Sequence, residues 1–140
     1  MMQENSPQLT FAMLDRLEGF DEGHRTPADD YPLQVWYRNV RETPIENLSL
    51  ADIARASRQQ IHIDQVVPVA LRFLQQEPLA GDLYDGELLV SLKSVPAGYW
   101  KTHAADAAAL RSIAVAALQR HEGVAEDLRR DVAELLCRIP

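Results

Sequence analysis

Apolar residues three and four positions apart, in runs repeatedly cut by proline or glycine, constrain this chain more than any other feature of it. A stripe at that spacing is continuous only on a helix, so each run predicts one helix with one buried face. A proline pushes the residue before it out of the helical region, so no run grows long. The chain is thereby limited to short helices that must cover one another. Its one alternating segment, Ile61-His62-Ile63, is too short to support a sheet.

Leu9, Met13, Leu14, Leu17 and Phe20 form the first stripe, with Asp15, Arg16 and Glu18 facing outward, and predict a helix over 9–20. The following DEGHRTPADDYP mixes glycine, prolines and acids without period and reads as an ordered surface loop. Leu33 to Arg41 reads as a short helix carrying Val35, Trp36 and Val40, stopped by Thr43-Pro44. Ser49 offers a side-chain oxygen to a helix over 50–60 whose inner face is Leu50, Ile53 and Ala54. Asp64 reads as the N-cap of the next helix, which puts Pro68 near its start, with Val67, Leu71 and Leu74 buried. Asp85 reads likewise as the cap of a helix over 86–95 that turns Leu88, Leu89 and Leu92 inward. Pro96 opens a short turn carrying Tyr99 and Trp100, and both Trp36 and Trp100 are expected in the core.

The alanine-rich run from Ala104 to Gln119 favours helix on propensity, with Leu110, Ile113, Ala114, Ala117 and Leu118 on one side. Gly123 breaks it, and a last amphipathic helix over 124–139 presents Leu128, Val132, Leu135 and Leu136. A chain of 140 residues is long enough to bury its own core. The expectation is an all-α fold, a single domain over 1–140 built as a compact bundle of about seven to eight short helices.

Charge narrows the partner. Lys and Arg number 14 against 21 Asp and Glu, a formal net charge of −7. A protein held to nucleic acid by phosphate neutralisation needs the opposite balance, so the expected partner is a basic protein and not a nucleic acid. The single cysteine, Cys137, cannot form an internal disulfide, which suits a reducing compartment, and it reads as a small buried hydrophobe. The start MMQENSPQ lacks the features of a signal peptide, and no window approaches the ~20 apolar residues of a membrane span. The cytoplasm is the expected location.

No catalytic residue, cofactor or metal is expected. His24, His62, His103 and His121 match no zinc spacing, and no nucleophile elbow, phosphate loop or zinc-protease helix is present. Asp82, Asp85 and Glu87 crowd one stretch, but a calcium loop starting at Asp82 would need glycine at its sixth position and Glu at its twelfth, where Lys93 stands. These three acids either cap and polarise the start of a helix and solvate its loop, or form an acidic recognition surface. The same choice applies to Asp21, Glu22, Asp29 and Asp30: up to Pro32 there are seven acids against Arg16 and Arg25. Tyr31, with Trp36 and Tyr37, is a candidate aromatic anchor of that surface.

LSLADIARASRQQIHIDQVVPVALRFL resembles a helix-turn-helix through Leu50, Ile53, Ala54, Ile61, Val66 and Val67, which keeps a small DNA-binding regulator or helical adaptor as the alternative. Asp64 and Pro68 in the would-be reading helix, with only Arg55, Arg58 and Arg72 nearby, count against DNA.

A wider pattern goes further. Leu17-Glu18-Gly19, Thr43-Pro44-Ile45, Gln59, Val67-Pro68-Val69-Ala70-Leu71, Glu77-Pro78-Leu79, the block Gly81-Asp82-Leu83-Tyr84-Asp85-Gly86-Glu87-Leu88-Leu89, and Tyr99-Trp100 occur in this order. The order resembles the immunity proteins of bacterial contact-dependent growth inhibition (CDI) systems, over about Leu14 to Leu110. It departs from them where they carry a glycine-containing turn around the Gln; this chain has Arg58-Gln59-Gln60-Ile61-His62-Ile63. The resemblance implies a cytoplasmic protein that binds the toxic C-terminal domain of a delivered effector and neutralises it. A toxin that cuts nucleic acid carries a basic surface, which the acidic body fits. The candidate contact residues are then Asp21, Glu22, Asp29, Asp30 and Tyr31, and secondly Asp82, Asp85 and Glu87.

Overall fold

The computed structural model describes residues 8–19, 31–120 and 125–140, and among them every regular element is helical. The α-helices are α1 (Phe11–Leu17), α2 (Pro32–Val40), α3 (Leu50–Arg58), α4 (Ile63–Gln76), α5 (Glu87–Ser91), α6 (Ala97–Thr102), α7 (Ala104–Leu118) and α8 (Glu126–Arg138). Single 3-10 turns lie at Ile45–Asn47 and Leu92–Ser94. The expected all-α class is what the chain adopts. It divides into two compact units, 1–48 and 49–140.

In the first unit, Thr10 caps α1 by accepting a hydrogen bond from the Met13 amide. With the helix starting at Phe11, the buried face is Phe11, Ala12 and Leu14, while Leu17 is 80% exposed. The stripe expected to include Leu17 is therefore rotated. Asp15, expected outside, is largely buried and accepts a hydrogen bond from the Tyr37 hydroxyl at 2.8 Å and an ion pair from Arg41 at 3.4 Å. The Phe11 and Tyr37 rings stack 5.5 Å apart, fixing α1 against α2. The Ile45 amide donates to the Leu9 carbonyl and the Ala12 amide to the Arg41 carbonyl, so the chain on both sides of Pro44 lies along the start of α1. Trp36, expected in the core, is half-buried.

In the second unit, Ser49 caps α3 as expected, its Oγ accepting from the Asp52 amide at 3.1 Å. Helix α3 packs on α4 and α5, α4 on α7, α5 on α8, and α7 on both α6 and α8. The core is Ile53 and Ala54, Val66, Val67 and Leu74, Leu88, Leu89, Leu92 and Val95, Trp100, Leu110 and Leu135. Trp100 is fully buried, as expected. Cys137, expected inside, is exposed, because Val132, Leu135 and Ile139 take the buried positions of that stretch.

Two caps differ from their sequence reading. Helix α4 begins after His62, not Asp64, and His62 holds a left-handed backbone with φ +43°. Pro68 therefore lies inside the helix and deprives the Asp64 carbonyl of its helical donor; both residues are exposed, where water substitutes at least cost. Helix α5 begins after Gly86, not Asp85, and Gly86 also holds a positive φ, +88°. A side chain there would stand 2.6 Å from Leu128 of α8, so glycine serves both the left-handed turn and the close approach of α8.

Candidate functional site

The loop between α4 and α5, together with the first residue of α5, contains three of the sequence's candidate residues and is built outward from a buried carboxylate. Glu87 is the first residue of α5 and only 2% exposed. A buried carboxylate needs hydrogen-bond donors or a counter-ion, and Glu87 has both. Its Oε1 accepts from the backbone amides of Asp82 at 2.8 Å and Leu83 at 2.9 Å. Its Oε2 accepts from Arg58 Nη1 at 3.3 Å, and the same nitrogen donates to Ser91 Oγ at 3.2 Å. The Ser91 hydroxyl in turn donates to the Glu87 carbonyl at 2.8 Å. Burial alone would raise the Glu87 pKa, but the two loop amides and the Arg58 cation outweigh it and hold the carboxyl below its ordinary range.

The backbone closes the same loop. Gly86 N–H donates to the Leu79 carbonyl at 2.8 Å, Glu87 N–H to Tyr84 at 3.2 Å, and Leu88 N–H to Ala80 at 3.1 Å. At its start the Glu77 carboxylate accepts from the Leu79 amide at 2.9 Å and pairs with Arg120 at 3.1 Å, which together lower its pKa against a smaller effect of burial. Gly81 is required by space: a Cβ there would fall 1.9 Å from the Tyr84 carbonyl oxygen. The loop is thus tied across its width as well as at its ends.

The tied loop displays four side chains. Asp82 and Asp85 are exposed, as a recognition surface requires, and between them stand Leu83, 78% exposed, and Tyr84, 53% exposed. Glu87 shares the loop but points into it, so it organises the acidic surface from beneath. Tyr31, in the first unit, is exposed at 67%. Asp21, Glu22, Asp29 and Asp30 lie outside the described residues. Sequence reasoning missed Leu83 and Tyr84, which belong to no helical stripe, and Arg58, whose tie to Glu87 spans 29 residues. The available signal was the pair of glycines, Gly81 and Gly86, bracketing two apolar residues that no period claims.

A second feature is an open cleft of about 390 Å³ between Gln60, Ile63 and Asp64 on one side and Tyr99, Thr102 and His103 on the other. The polar groups on its Tyr99 side are engaged in holding α6. The Tyr99 hydroxyl donates to Asp106 at 2.7 Å, and burial together with that carboxylate pushes its pKa up, so it keeps its proton. His103 stacks on the Tyr99 ring at 3.8 Å, and its Nδ1 lies 2.8 Å from the Tyr99 carbonyl oxygen, to which a protonated Nδ1 donates. Thr102 Oγ1 lies 3.1 Å from both the Gly98 and the Tyr99 carbonyl oxygens. These side chains satisfy the last carbonyls of a helix. Among the described residues no three His, Cys, Asp or Glu side chains gather as a metal site would require.

The sequence pattern of a family described as CDI immunity proteins matches residues 21–110. That span contains α2 to α6, the whole of the tied loop and the start of α7. No curated protein matches the chain.

Proposed function

The chain belongs to the CDI immunity proteins, and on that premise we propose that it neutralises its cognate CDI toxin by covering the toxic C-terminal domain in the cytosol of the cell it protects. The family match across the acidic loop is the observation that carries this reading. Neutralisation proceeds by occupancy and charge, without a reaction. A toxin that cleaves RNA or DNA must present Lys and Arg to phosphate, and this chain carries a net charge of −7 to meet such a surface. Opposed fields of that kind raise association toward about 10⁸ M⁻¹s⁻¹ at low salt, which suits an antidote that must capture its target before damage accumulates. Action in the cytosol agrees with the absence, among the described residues, of any helix long and apolar enough to cross a membrane.

Two acidic regions supply the charge. One is the tied loop with Asp82 and Asp85 exposed, and the other is the segment holding Asp21, Glu22, Asp29 and Asp30, followed by the exposed Tyr31. Changing Asp29 and Asp30 together to Lys slows association with the toxin at low salt and leaves it little changed at high salt.

The test is protection. Cells producing the C-terminal domain of the CDI effector encoded beside this chain survive when it is co-produced, and the two proteins purify as one complex. Death of those cells in the presence of a folded, abundant chain refutes the reading.

A further inference from the structure

We infer that Leu83 and Tyr84 form a pre-shaped anchor that enters an apolar depression on the toxin domain bordered by Lys or Arg side chains. The inference rests on the immunity reading and adds to it the contact that holds the complex together.

Leu83 and Tyr84 stand side by side at 78% and 53% exposure, the only adjacent pair among the strongly exposed large apolar residues of the described chain. Chance exposure on a slack loop is excluded by the loop's construction. The amide of Leu83 is itself bonded to the buried Glu87 carboxylate, and the carbonyl of Tyr84 accepts from the Glu87 amide, so both anchor residues are pinned by their own backbones. Arg58 fixes that carboxylate from below and is itself held by Ser91 Oγ. Gly81 lets the strand of loop before the anchor pass against the Tyr84 carbonyl at a distance no side chain permits. The ordering cost of the loop is therefore met on folding and is not charged against binding, which is the condition for a short loop to contribute strongly. Tyrosine is the residue of choice for such an anchor, because a large ring with two rotors covers much area at small entropic cost.

Charge names the occupant. Asp82 precedes the apolar pair and Asp85 follows it, both exposed, and among the described residues of the second unit neither has an ion-pair partner. An apolar pair framed by two carboxylates fits an apolar hollow framed by cations, and a nuclease domain, whose surface is cationic, offers such a frame. A second copy of this chain, itself net negative, would set like charges against each other.

The experiment uses the full chain and the purified C-terminal domain of the neighbouring effector. Leu83→Ala and Tyr84→Ala truncate exposed side chains, so melting temperatures stay at the wild-type value. Each raises the Kd, Tyr84→Ala by tenfold or more, and the loss lies chiefly in faster dissociation. Asp82→Asn with Asp85→Asn instead lowers the association rate at low salt, and the difference closes at high salt. A double Leu83→Ala/Tyr84→Ala variant that binds within twofold of wild type, while wild type binds and protects cells, overturns the anchor and leaves the immunity reading standing. A wild-type chain that neither binds nor protects overturns both. A wild-type dimer in solution that these two substitutions dissociate assigns the pair to self-association and overturns the anchor.

Discussion

Arg58 at the last turn of α3 and Glu87 at the first turn of α5 meet at 3.3 Å, and the carboxylate so held accepts both amides at the start of the displayed loop. The geometry joins stability to presentation. Arg58 is partly exposed and needs little compensation, whereas Glu87 is buried and depends on every donor it has. The shape of the surface loop is thereby set by the contact of two helices beneath it.

Removing the charge at Glu87 therefore destabilises the protein in a pH-dependent way. Glu87→Gln keeps an oxygen for the loop amides but loses the charge that strengthens them and pairs Arg58, a cost of about 2 kcal/mol near neutral pH. The folded pKa of Glu87 lies below its unfolded value, so its contribution is fully present above roughly pH 4.3, the ordinary Glu value, and is lost as pH falls through the folded pKa. Urea midpoints of wild type and variant differ at pH 7 and converge toward pH 3. A difference that stays constant across that range shows that charge is not what Glu87 contributes.

Gly81→Ala tests the tight approach that shapes the loop. The added methyl would meet a backbone oxygen at 1.9 Å, which cannot swing aside as a side-chain tip can. The loop must open, at a cost of about 2–3 kcal/mol, and hydrogen exchange at the Asp82 and Leu83 amides accelerates. Gly98→Ala is the control: nothing lies within 4 Å of a Cβ in the second position of α6, so it gains about 0.5–1 kcal/mol from helix propensity.

Legibility in the sequence followed the range of the interaction involved. The alanine-rich stretch ending at Leu118 is helical within one residue of its expected end, because its propensity is local. The Ser49 cap was legible for the same reason, since Ser49 and Asp52 are three residues apart. In α1, seven residues long and mostly apolar, more than one stripe can be drawn; the start at Thr10 selects the one carrying Phe11 and leaves Leu17 in solvent. Asp64 and Asp85 are good capping residues on local grounds, but His62 and Gly86 hold the left-handed positions that start those helices. At the candidate site, the exposure of Asp82 and Asp85 was legible, whereas the burial of Glu87 was not, because its partner Arg58 lies on another helix.

The turn between α3 and α4 carries relievable strain. Gln60 holds φ +56° and His62 φ +43°, in the segment where the resembling sequences place a glycine. A left-handed conformation costs a non-glycine residue about 1–2 kcal/mol, and glycine's extra freedom in the unfolded chain returns about 0.5–1 kcal/mol of that. Gln60→Gly accordingly raises stability by about 0.5 kcal/mol, and Gln60→Val lowers it by more than about 1 kcal/mol because a β-branched side chain tolerates the conformation least. Urea unfolding of the three proteins measures the order; a Gly variant less stable than wild type shows that the Gln60 side chain contributes more than its backbone costs.

Cys137 lies near the end of α8, next to Leu136 and two residues after the buried Leu135, and its side chain is exposed. A disulfide reagent therefore labels one thiol per native chain at a rate within about tenfold of that in denaturant, since access and not unfolding limits the reaction. A core thiol would react only through opening of the fold, and its labelling would slow as stability rises. Comparing the rate in wild type with that in the stabilised Gly98→Ala background separates the two: equal rates follow from an exposed thiol, and a slower rate in the stabilised protein places Cys137 inside. Cys137→Ser, which removes no buried contact, leaves the urea midpoint within about 0.5 kcal/mol of wild type.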